Sequence, residues 1–148
     1  MTAMGERRPM VRATMRAVAV LLTGAGVVAL AGCVVGPGAP KGGPTPASFL
    51  EREQLPSCGT VELTQGEEIP TADIACLEEA TSAGAELAVT RPTVEGDPVT
   101  EYYRVLPGGG WEIYTDMTRD AYGEGWWLND CPDALSMTQL GECTSTRL

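Results

Sequence analysis

The sequence predicts an α+β fold, one helix packed on a small three- to four-stranded antiparallel sheet and stapled by disulfides. Three observations lead there. The segment "EEIPTADIACLEEATSAGAEL" repeats apolar or small residues at spacings of three and four. The stretch that follows, 87–116, switches to a period of two and is broken by glycine- and proline-rich turns. Of the five cysteines, setting Cys33 aside leaves Cys58, Cys76, Cys131 and Cys143, an even set in a short chain.

Thr60-Val61-Glu62-Leu63 alternates and reads as a short strand. The helix is expected over about 71–83. Pro70 suits its start, Glu67, Glu68 and Asp73 favour the positive N-terminal end, and Gly84 is a natural stop. Ile69, Ala72, Cys76, Ala80 and Ala83 would form its narrow small-residue face, with Glu78 and Glu79 in solvent. Leu87 to Thr90 is a second strand, Glu95-Gly96-Asp97-Pro98 a turn, and Val99 to Val105 a third strand. Leu106-Pro107-Gly108-Gly109-Gly110 turns the chain into Trp111 to Asp116. Setting Val105 opposite Trp111 brings Tyr103 to Ile113 on one face and Arg104 to Glu112 on the other. Each of these pairs is chemically sensible, which favours this register. Trp126, Trp127 and Leu128 add a last strand or cover the core.

In front of this domain the chain has a different composition. Arg7, Arg8, Arg12 and Arg16 precede an uncharged apolar run, Ala17 to Leu30, of 14 residues. A bilayer-spanning helix needs about 20, so the run suits an export signal better than a span. Glu6 and Pro9 flank Arg7-Arg8 and speak for general secretion over a twin-arginine route. The run ends in Leu30-Ala31-Gly32-Cys33, which resembles the lipobox of bacterial lipoproteins. The resemblance implies diacylglycerol on the Cys33 sulfur, cleavage before Cys33, and fatty acylation of the new amino group. It therefore implies a protein anchored by lipid to the extracytoplasmic face of the cell membrane. The domains expected are a signal peptide over 1–32, a flexible Gly/Pro-rich tether over 33–55, and a small domain over 56–148. The tether assignment rests on "CVVGPGAPKGGPTPASFLEREQ", which has almost no large apolar residue before Phe49.

Cleavage would remove four arginines and one glutamate from 10 basic and 20 acidic residues. That leaves 6 against 19, a net charge of −13 over residues 33–148. Such a surface repels phosphate backbones and anionic lipid heads, so no nucleic-acid partner is expected, and anchoring would fall to the lipid. A domain this small has a marginal core and gains from covalent staples. With no histidine and no C-x-x-C pair, the four cysteines suit disulfides of an oxidising compartment better than a zinc site. A strand and the helix it feeds pack together, so the pairing expected is local: Cys58 with Cys76, and Cys131 with Cys143.

The lack of histidine also removes Ser-His-Asp and Cys-His catalysis. Two carboxylates could still act on a glycan, but 19 acids make some close pair inevitable and uninformative. "DMTRDAYGE" places Asp116, Thr118 and Asp120 two residues apart and Glu124 beyond, like the start of a calcium loop. Ala121 stands where that loop needs glycine, and Trp127 where it needs a closing carboxylate, so no metal and no cofactor is expected. All three tryptophans and four tyrosines lie between Tyr102 and Trp127. Most must be core. Tyr102 and Tyr114, on the face opposite Tyr103 and Ile113, are expected to be exposed and to form a surface for a protein partner or wall glycan. The whole resembles small lipoproteins of bacterial envelopes. It suggests a non-enzymatic binding or interaction module, with an inhibitor or accessory subunit of an envelope protein as the second reading and a carboxylate-based glycan-acting enzyme as the third.

Overall fold

A computed structural model of the chain describes residues 43–148. Cys33 and the export segment lie outside them. The architecture is mostly β: six strands in sequence order, β1 (Ser57–Glu62), β2 (Ala85–Pro92), β3 (Pro98–Val105), β4 (Trp111–Asp116), β5 (Trp126–Cys131) and β6 (Thr144–Arg147), form one open sheet. Two helices accompany it, a single turn α1 (Ala47–Leu50) and α2 (Thr71–Glu79). The expected three- to four-stranded sheet is therefore too small, and its antiparallel character holds only from β2 onward. β1 runs parallel to β2, the arrangement that a crossover through α2 permits. β6 was missed because "TSTR" carries no buried residue and so no hydrophobic alternation.

The β3–β4 register is the one the side chains require: Val105 opposite Trp111, Arg104 opposite Glu112, Tyr103 opposite Ile113. It sorts the sheet into two faces. On the first, Ala85, Leu87, Val89, Tyr103, Val105, Trp111, Ile113 and Cys131 form the main core, capped by Leu77 of α2. α2 lies over β1, β2 and β3, while the loop after β5 adds Ala134, with Met137 and Leu140, to the same core.

The inward side of α2 differs from the small-residue face expected. Leu77 is fully buried and Ile74 half-buried, whereas Ala72, Cys76 and Ala83 are exposed. One residue is about 100° around a helix. With Leu77 aimed at the sheet, Cys76 sits on the flank, where it meets Cys58 of the edge strand at a Cα separation of 5.8 Å. The helix also stops earlier, and residues 80–83 are turns that end in a backbone hydrogen bond from Gly84 to Ala80. Gly84 has φ +74°, and a Cβ there would come within 2.9 Å of Leu55, Pro107 and the Val105 carbonyl. Only glycine fits that joint.

The second face is closed by a segment that composition places in the tether. Phe49, the chain's only phenylalanine, is 8% exposed and lies on Tyr102, Tyr114 and Trp126 at centroid distances of 4.6, 5.3 and 4.5 Å. Arg52 stacks over the Phe49 ring at 3.7 Å and forms two hydrogen bonds with Glu86, at 2.9 and 2.8 Å. Arg104, buried in the sheet, donates to the Glu53 carbonyl at 2.6 Å. Residues 46–54 thus form a strap across the sheet, and the ordered domain begins before residue 56.

Both staples join the expected partners, Cys58 to Cys76 and Cys131 to Cys143. Each closes a loop worth about 3 kcal/mol in the chain-entropy model. Non-reducing peptide mapping should recover these two linkages, and a peptide joining Cys58 to Cys131 would contradict the fold. Phe49→Ala should destabilise by about 3–5 kcal/mol, the usual range for emptying a buried aromatic site. Urea unfolding of the variant against the native chain measures it, and a loss under 1 kcal/mol would mean that the strap does not hold.

Candidate binding surface

The strap decides the fate of Tyr102 and Tyr114. They share a face, as their register opposite one another requires, but that face is not free. Tyr114 is 4% exposed and Tyr102 is half-buried, both beneath Phe49. The expected partner surface is thus occupied by the chain's own strap. Burial is the main influence raising both phenol pKa values above their ordinary range.

The calcium-like cluster resolves into turn chemistry. Asp116 Oδ1 accepts the Thr118 amide and Asp120 Oδ1 the Tyr122 amide, both at 2.9 Å. These are the local side-chain-to-backbone bonds that Asp makes in turns. Among the described residues, no group of three or more His, Cys, Asp or Glu side chains could hold a metal ion.

The open surface lies elsewhere, on the helix face beyond the reach of α2. The cross-strand row Glu101, Thr115, Trp127, Arg147 runs there in register. A depression of about 300 Å³ is lined by Thr115, Met117, Glu124 and Trp127. Trp127 is half-buried, unlike Trp111 and Trp126, which are buried. Arg147 approaches Glu124 at 3.4 Å, with both side chains more than half exposed, so this pair is a weak, exchangeable contact.

Two loops bound this end of the sheet, Thr93–Asp97 between β2 and β3 and Met117–Gly125 between β4 and β5. Asp97 Oδ2 accepts the Ala121 amide at 2.8 Å and ties them together. Each loop projects an unsupported apolar side chain, Val94 at 82% and Tyr122 at 80% exposure. Sequence reading placed the aromatics by strand face and could not tell which part of each face was covered. Trp127 shares the face that α2 covers but stands on β5, beyond the strands β1 to β3 on which the helix packs.

Next to the depression Arg91, Glu101 and Tyr103 form a closed network. Arg91 lies 3.1 Å from Glu101 and donates to the Tyr103 hydroxyl at 3.2 Å, which in turn donates to Glu101 at 2.8 Å. Burial, then the Glu101 charge and its hydrogen bond, push the Tyr103 phenol pKa far up. The folded chain keeps this proton where an unfolded phenol, with pKa about 10, loses it. Stability is therefore fully retained below about pH 10 and falls as pH rises beyond it. Urea unfolding from pH 8 to pH 11 should show that decline, and Tyr103→Phe should make it shallower. An unchanged slope in the variant would remove Tyr103 as its cause. In comparisons with known proteins, no family model, no curated protein and no solved structure matches this chain.

Proposed function

We propose that the protein is an extracytoplasmic lipoprotein, anchored to the cell membrane through acylated Cys33, that acts as a non-enzymatic binding module. The observation that carries the binding role is the Trp127 depression, an open apolar site beside two tied loops with exposed Val94 and Tyr122. Large apolar side chains left in water at one end of a small domain mark a contact surface. The anchor rests on Leu30-Ala31-Gly32-Cys33 after a charged and apolar leader. Two disulfides suit the oxidising side of the membrane. The partner in this reading is an envelope protein or glycan, which also accommodates a role as inhibitor or accessory subunit.

Metabolic labelling with a fatty-acid analogue and detergent-phase partition test the anchor. The native chain should take label, move to the detergent phase and lack residues 1–32. Cys33→Ala should remain an unlabelled, uncleaved precursor. A native chain recovered in the aqueous phase at the mass of the bare polypeptide would overturn the lipoprotein reading.

A further inference from the structure

We propose that the Trp127 depression takes a cationic side chain, the ammonium or guanidinium of a lysine- or arginine-rich partner segment. The inference rests on the binding role just proposed and names the chemistry of its partner. The two loops at this end of the sheet carry the carboxylates of Glu95, Asp97, Asp120 and Glu124, while Glu101 is held by Arg91 and Asp116 lies on the opposite face, across from Trp126. Against these four stand Arg119 and Arg147, the latter already beside Glu124, so among the described residues Glu95, Asp97 and Asp120 are in no ion pair. Arg91 is engaged by Glu101 and Tyr103, and Arg119 donates to Thr100 on the opposite face at 3.3 Å. The field at this end of the sheet is negative, which attracts a basic partner and repels an acidic one.

The depression supplies the short-range complement. An indole is the best aromatic partner for a cation lying over its face, and Trp127 is the tryptophan left partly open. Glu124 lines the same depression and offers a carboxylate beside the ring. Its present partner, Arg147, is an exposed arginine at 3.4 Å, so an incoming cation replaces one loose ion pair with another and gains the ring as well. Met117 and Thr115 contact the aliphatic stem that lysine and arginine both carry. A neutral glycan could stack on the indole but would leave the carboxylates unused. An anionic one would be repelled.

The test uses the full-length chain in non-ionic detergent and reads the indole N–H resonances of its three tryptophans by NMR. Tetralysine amide, tetraglutamate and chitotetraose are titrated separately. Tetralysine should shift the Trp127 resonance saturably, with Kd rising as salt is added, and should leave buried Trp111 and Trp126 unmoved. Trp127→Ala should weaken binding about fivefold or more, and Trp127→Phe should restore part of it. Glu124→Gln should weaken it about threefold. If chitotetraose or tetraglutamate shifts Trp127 and tetralysine does not, the cationic inference falls while the binding surface stands. If tetralysine binds with equal affinity to Trp127→Ala, the attraction is diffuse charge and the site falls. If none of the three shifts Trp127, the inference and the binding surface fall together.

Discussion

A sheet of six strands has two faces to cover, and among the described residues only one helix is longer than a single turn. Everything else in the domain follows from that shortage. α2 serves β1 to β3 on one face, and the loop after β5 extends the cover at one end of β4 and β5. The other face is closed by nine residues of strap centred on one aromatic ring. β6 stays exposed along its length, and the apolar part of the helix face left open is the corner around Trp127.

The strap also explains how a charged residue sits inside so small a domain. Arg104 is 2% exposed and packs between Glu86 and Glu112, its opposite numbers on the neighbouring strands. Taking a guanidinium out of water costs several kcal/mol unless its donors are matched. Glu112 and the Glu53 carbonyl accept from its two terminal nitrogens, while Glu86 stands 3.1 Å from Nε as an ion-pair neighbour without a hydrogen bond to it. Glu86 also holds Arg52, so one carboxylate serves both the sheet's buried cation and the strap's. Strap and buried ion cluster therefore stand or fall together, which makes the second face cooperative despite its small area.

The sequence was informative wherever a local pattern was also the deciding pattern. The β3–β4 pairing was legible because Val105, Trp111, Tyr103 and Ile113 are large and apolar on one side while Arg104 and Glu112 are opposite charges on the other. The Cys58–Cys76 bridge was legible because a strand and its following helix pack together. Phe49 was not, since its worth comes from three rings more than fifty residues away, and proline and glycine dominate its neighbourhood. The same distance hid the true surface. Tyr102 and Tyr114 were placed on the correct face, but no local pattern says that residue 49 will lie over them. Trp127 was expected in a last strand or as cover for the core, and the limited footprint of α2 leaves it half-open.

The strap has a mechanical consequence. Any pull on the domain through its N-terminal segment reaches Phe49 and the Arg52–Glu86 contact before it reaches the sheet. Those contacts act as the first stage of a two-stage latch. Once they yield, load passes to β1, a strand paired on one side only, and there the Cys58–Cys76 bond intervenes. That bond ties the loaded strand to α2 one residue from Leu77, the helix's fully buried anchor. Peeling from the N-terminal side of the strap therefore meets a covalent stop at Cys58.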